Sequence, residues 1–277
     1  MQKVMNHLIQ LQELVLVREQ EAFMGGARLQ QLDKSIKSFT EQLPDGVQNI
    51  FLRLQKKDPV AVVPVSNGGC SICGMRLPIS LVQSVRALKH IQHCPNCARI
   101  LYYSDSHPRS VAKKQSRIEP RKVGIERFSS EDLMVPRMAA TTRDEALHEL
   151  AAKMAESGFI EHPGKLVEEA LRREAIISTA VDHGVAFPHV RSVEGGGLTF
   201  ALGMSPTGIR FNESEKDLTN FVFFIVIPTA ANAFYLRLLA GLTEVLMVDE
   251  FRQTLLADDE PKKLWRTLRK LTKKSIP

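Results

Sequence analysis

Apolar and small residues recur at Val4, Leu8, Leu11, Val15, Ala22, Gly25, Leu29, Leu32, Ile36, Phe39 and Leu43, in steps of four and three. That alternation is the a/d seam of a coiled coil and predicts one long helix over 1–43. Arg18 takes one seam position, and Ala22 with Gly25-Gly26 softens the middle, because glycine inside a helix costs about 1 kcal/mol relative to alanine. Pro44-Asp45-Gly46 breaks the helix, and a shorter one follows over 47–57. A lone helix of this length leaves its seam uncovered, and the second helix reaches only its last part. Self-association into a homodimer through the coiled coil is the preferred expectation for the remainder. Packing against the chain's own C-terminal part is the alternative.

The pattern then changes period. Val60 to Val65 reads as a strand, as does Arg99 to Tyr103, and the cysteines lie between them. Ser104 to Arg127 loses apolar periodicity and carries seven Lys/Arg against Asp105, Glu119 and Glu126, which suits a flexible tether or a basic arm. From Phe128 the pattern is mixed α/β. Thr142-x-x-Glu145 is a capping box opening a helix that Gly158 stops, and His162-Pro163 opens another reaching Arg173. Strands are expected at 176–181, 198–204 and 221–227, then helices at 232–248, 249–257 and 261–273. The chain therefore divides into coiled-coil helices (1–58), a ribbon (59–104), a basic linker (105–127) and an α/β domain with a mixed sheet flanked by helices (128–277).

With 277 residues, two compact units are expected, and 44% hydrophobic with 25% charged residues is an ordinary globular mixture. A net charge of +6 leaves nucleic acid, acidic protein faces or membrane headgroups open as partners. The longest apolar run, Phe221 to Ile227, is far too short to span a bilayer. Polar residues interrupt the N-terminal apolar positions, so no signal peptide is read there, and a cytoplasmic protein without a membrane partner is expected.

Cys70-x-x-Cys73 and Cys94-x-x-Cys97 are two knuckles about twenty residues apart, the spacing of a four-thiolate zinc ribbon. Four sulfurs fill a tetrahedron and leave no open position, so the Zn2+ is structural. Disulfides compete as a reading, and a cytoplasmic chain disfavours them. His90 and His93 lie near the second knuckle as alternative ligands. Asn67 to Pro78 followed by His93 to Tyr103 resembles the C4-type zinc ribbon proteins with an N-terminal coiled coil. That resemblance implies a long helical hairpin before the ribbon, of which this chain is expected to carry half, and a role in binding nucleic acid or protein.

Gly184-Val-Ala-Phe-Pro-His189 holds the second constellation. A neutral imidazole is a competent nucleophile near pH 7, although spacing alone makes His189 an ordinary strand-end histidine. Arg173-Glu-Ala-Ile-Ile-Ser-Thr179 followed by Asp182 to Arg191 resembles the enzyme IIA domains of the fructose/mannitol and nitrogen-regulatory phosphotransferase systems. The resemblance implies that His189 is the phosphoacceptor, that Arg173 neutralises phosphoryl oxygens, and that Thr179 lines the site. It also implies a histidine phosphocarrier protein as partner. A second histidine common in that family is replaced by Tyr235, whose phenol donates a hydrogen bond but does not exchange a proton readily at pH 7.

The reading is thus a regulatory phosphoprotein, and the alternative is a nonenzymatic adaptor for nucleic acid or RNA polymerase with a degenerate sensor domain. An exposed imidazole with Arg173 in reach favours transfer. A buried one satisfied by backbone favours a plain structural role.

Overall fold

The structure is a computed structural model describing residues 1–23, 29–66, 68–103, 122–175, 177–193, 197–211, 218–228 and 232–276. The chain divides into two compact units, Met1–Ser106 and His107–Pro277.

In the first unit the expected single helix is two: α1 (Gln2–Phe23) and α2 (Leu29–Glu41), followed by α3 (Asp45–Gln55). His7 bonds the Phe39 carbonyl at 2.7 Å while Arg18 pairs with Asp33 at 2.6 Å, so α1 and α2 run antiparallel. The seam period is the same for a continuous helix and for a hairpin. Folding back lets Met5, Leu8, Leu11 and Val15 pack against Leu43 and the half-buried Ile36 and Phe39. The hairpin half expected to be missing is thus supplied by the same chain. Gly25-Gly26 lie outside the described residues.

After the hairpin come β1 (Val62–Ser66), β2 (Gly69–Cys70), α4 (Ile79–Ala87), β3 (Gln92–His93) and β4 (Ile100–Tyr102). The four strands form a sheet in the order β2-β1-β4-β3, with β1 and β4 parallel and the outer pairs antiparallel. Strand alternation splits the sheet's apolar residues between two faces. Val62 and Ile100 join the helical core with Phe51 and Leu54. Val63, Val65 and Leu101 face the other way, with Leu77, Val85, Cys70 and Cys94.

Gln12 of α1 ties helix to sheet. Its amide oxygen accepts from the backbone N–H of Ala61 (2.6 Å) and Val62 (2.9 Å), and its nitrogen donates to Pro59 O at 2.8 Å. The boundary expected between 58 and 59 therefore runs through a shared core.

The first described element of the second unit is a 3-10 turn, Gly124–Arg127, whose Ile125 is buried, so the expected linker ends before residue 127. Then follow β5 (Met134–Val135), α5 (Arg143–Glu156), α6 (Pro163–Glu174), β6 (Ala180–Val181), β7 (Val185–Ala186), β8 (His189–Val193), β9 (Thr199–Ile209), β10 (Thr219–Pro228), α7 (Asn232–Leu246), α8 (Asp249–Leu256) and α9 (Pro261–Thr272). The sheet order is β5-β9-β10-β7-β6, with β8 also paired to β10. β10 is central, antiparallel to β9 and parallel to β7 and β8, which explains why Phe221 to Ile227 is apolar on both faces.

The capping box forms: Thr142 accepts from the Glu145 N–H at 3.3 Å and Glu145 accepts from the Thr142 N–H at 3.1 Å. Gly158 stops the following chain at φ 72°. The strand expected at 176–181 shrinks to β6 because side chains ending α6 occupy its backbone groups: Arg173 donates to Ile177 O, and Glu174 accepts from Thr179 N. Among the described residues no helix is long and apolar enough to cross a membrane.

Candidate functional site

Two clusters hold the chemistry, one in each unit. In the first, the four cysteine sulfurs lie within 4.8 Å of one another, with Cys70–Cys97 at 3.7 Å and Cys73–Cys94 at 3.5 Å. A tetrahedron with Zn–S bonds of about 2.3 Å needs sulfurs about 3.8 Å apart, so the set fits a zinc ion. The knuckles are built alike. Gly74 N donates to Cys70 O and Ala98 N to Cys94 O, both at 2.9 Å, and Gly74 (φ 71°) and Ala98 (φ 60°) are both left-handed. Burial pushes the Cys70 thiol up to about 12. Against its own burial cost, hydrogen bonds from Met75 and Asn96 draw Cys73 down to about 6. A divalent cation held by all four sulfurs would remove the conflict by binding them as thiolates. His93 bonds Ala98 O at 3.1 Å and braces the second knuckle instead of replacing a sulfur.

In the second cluster His189 opens β8 and is 1% exposed. Its Nδ1 lies 3.0 Å from Phe187 O and 3.3 Å from the Tyr235 hydroxyl. A carbonyl only accepts, so Nδ1 carries the proton and Nε2 the lone pair. Nε2 is buried and has no hydrogen-bond partner among the described residues. The imidazole is held well below its ordinary range, first by burial, then by the charges of Arg173 and Arg191, while the bond to Phe187 O pulls the other way. It is therefore neutral at pH 7. His189 matches neither expected extreme: it is buried and backbone-held at one nitrogen, and unsatisfied at the other.

Tyr235, in the first turns of α7, is fully buried with its ring 5.3 Å from the imidazole. The Arg191 guanidinium lies over the Tyr235 ring, 4.9 Å from its centroid. Thr179 reaches His189 only indirectly. Its hydroxyl donates to Glu174 at 2.8 Å, and its carbonyl accepts from the Phe187 N–H at 3.1 Å. Burial raises the Glu174 carboxyl above its ordinary range, and the two bonds from Thr179 act against that rise. Arg191, Glu174 and Phe187 had no role in the sequence reading. For Arg191 a signal existed: residues two apart on a strand share a face, so a strand starting at His189 brings Arg191 beside it.

A mixed sheet with β10 at its centre, a neutral buried histidine opening a parallel neighbour and two arginines acting on it define an enzyme IIA-like α/β module. The family model described as phosphoenolpyruvate-dependent sugar phosphotransferase system, EIIA 2, matches residues 127–271, more than half of the chain, and the chain belongs to that family. A C4-type zinc ribbon domain model matches residues 70–101.

Among curated relatives, the 2-O-α-mannosyl-D-glycerate-specific EIIABC component of Escherichia coli is 26% identical over 171 residues, 61% of this chain. The chain spans only 25% of that protein's length. The nitrogen regulatory protein of Bradyrhizobium diazoefficiens is 28% identical over 138 residues, covering 50% of this chain and 89% of that protein. Among solved structures, nitrogen regulatory protein IIA-Ntr from Neisseria meningitidis aligns with 51% of this chain and 96% of its own at 20% identity and a TM-score of 0.46.

Proposed function

We propose that the α/β unit is a regulatory phosphoacceptor of the phosphotransferase type, taking a phosphoryl group on His189 from a histidine phosphocarrier protein. The observation that carries this reading is the fixed tautomer: Nδ1–H is held by Phe187 O while Nε2 keeps a lone pair with no hydrogen-bond partner among the described residues. In the transfer, that lone pair forms the new N–P bond as the donor's N–P bond breaks and its electrons return to the donor imidazole. Arg173 and Arg191 supply positive charge toward the incoming phosphoryl oxygens. Thr179 and Glu174 position Phe187, and through it the ring. Tyr235 offers a hydroxyl where a second imidazole would exchange protons, so transfer is slow and suits a signal better than sugar flux.

In the ribbon we read a structural Zn2+ on Cys70, Cys73, Cys94 and Cys97. The hairpin covers much of its own seam, so a homodimer has lost its main motive. The adaptor reading rested on the ribbon and the basic segment, most of which lies outside the described residues.

Burial of His189 beneath Tyr235 favours one second reading, a domain that binds partners without transfer. Incubation with phosphoenolpyruvate and the general phosphotransferase proteins separates the two. Acid-labile label, lost in His189→Gln and incorporated faster in Tyr235→His, is the expected result. A protein that forms a complex with the phosphocarrier yet takes no label in either Tyr235 form would establish the second reading and sink the first.

A further inference from the structure

The net charge of the chain is unevenly placed. Residues 261–277 contain seven Lys/Arg and no Asp or Glu, so more than the whole excess of +6 sits on α9 and the residues after it. The helix is sharply two-faced. Leu264, Trp265, Leu268 and Thr272 are buried in the α/β unit, and the cations all lie on the other side. Two of them have acidic partners: Lys263 pairs with Asp259 and Glu260 at 3.4 and 3.2 Å, and Arg269 pairs with Glu126. The other five, Lys262, Arg266, Lys270, Lys273 and Lys274, are exposed. Lys262, Arg266 and Lys270 follow one another at four-residue steps, which places them about 6 Å apart along the axis.

We infer that this face of α9 is a sequence-independent binding surface for the phosphate backbone of nucleic acid. A straight row of solvent-facing cations at one-turn intervals is comparable in step with neighbouring phosphates of one strand, and such contacts need no apolar anchor. Basic amphipathic helices that lie on membranes insert their apolar face, and here that face is already used by the domain's own core. Protein interfaces centre on buried aromatic or aliphatic side chains, and the row offers none. The inference is independent of what happens at His189.

The test uses the full chain and the variant Lys262→Gln/Arg266→Gln/Lys270→Gln/Lys274→Gln, whose unchanged circular dichroism shows that it folds. Fluorescence anisotropy is read with a labelled duplex of arbitrary sequence. Four phosphate contacts predict that Kd rises roughly 150-fold between 50 and 200 mM salt. The variant should bind at least tenfold more weakly at 50 mM with a flattened salt dependence. Two results overturn the inference: duplex binding that the variant retains, or none at 50 mM salt and 100 µM protein. Competition by polyglutamate or by anionic vesicles as effective, charge for charge, as unlabelled duplex would also overturn it, by assigning the face to acidic protein or to membrane.

Discussion

Replacing Gln12 by Met tests whether helix and ribbon are one folding unit. The two side chains are close in length and volume, so the change removes hydrogen bonds while leaving packing nearly intact. Gln12 is 4% exposed, and Ala61 and Val62, whose N–H groups it accepts, are 0% and 4% exposed. Each buried donor left without a partner costs about 1–3 kcal/mol, and the Pro59 carbonyl loses its donor as well. The summed cost is about 2–5 kcal/mol once the apolar gain of Met is set against it.

Urea unfolding of the zinc-loaded protein, followed by zinc release to a chromogenic chelator and by far-ultraviolet dichroism, measures it. With a dependence of about 1–3 kcal/mol per molar urea, the midpoint should fall by roughly 1–3 M. Zinc should leave at a correspondingly lower urea concentration, although residue 12 touches no cysteine. The sole tryptophan, Trp265 in α9, reports separately on the α/β unit. A cost below about 1 kcal/mol with zinc release unaltered would mean that water reaches those N–H groups, and the shared core would be refuted.

Protonation of His189 supplies a second outcome. Its folded-state value lies below the imidazole range, so below about pH 6.5 the unfolded chain takes up a proton that the folded chain refuses. The stability this site contributes is complete above pH 6.5 and is lost as pH falls toward the folded value, at up to about 1.4 kcal/mol per pH unit. Urea titrations read by Trp265 fluorescence should show wild type losing stability more steeply than His189→Gln between pH 6.5 and 5. Glu174 is raised in both proteins and drops out of the difference, so parallel profiles would contradict the neutral imidazole. At the second knuckle, Ala98 holds a left-handed conformation that Gly74 holds in the first. Ala98→Gly should therefore stabilise the ribbon by about 0.5–1 kcal/mol and slow zinc loss to a chelator, and faster loss would count against the matched geometry.

The parts of the fold legible in the sequence are those specified by local chemistry. The two knuckles, the Thr142–Glu145 cap and the run Phe221 to Ile227 each carry their signal within a few residues. The hairpin of α1 and α2 was not legible, because its heptad phase runs on unbroken and the partner of each seam residue is set by tertiary contact. Helix α4 was missed because Pro78 precedes it without a capping side chain and only Val85 of its residues is buried. The strand expected at 176–181 is confined to Ala180–Val181 because Arg173 and Glu174 take the backbone groups of Ile177 and Thr179. Residues 173, 179, 189 and 235 were singled out together by resemblance. Their linkage through Phe187, and the place of Arg191 over Tyr235, depend on a parallel pairing of β8 with β10 that no local pattern encodes.

The seal over His189 has a consequence of its own. Tyr235 covers the imidazole from α7, and Phe234 beside it is 52% exposed, so one turn of this helix has an inner and an outer face. A group bonded to Nε2, carrying charge and three oxygens, would need space around a ring that is 1% exposed, and Tyr235, packed 5.3 Å from that ring, is a neighbour that would shift to give it. The event would then be legible from outside as the position of Phe234. Under such an arrangement α7 acts as a latch, and a partner could respond to the mark without touching it.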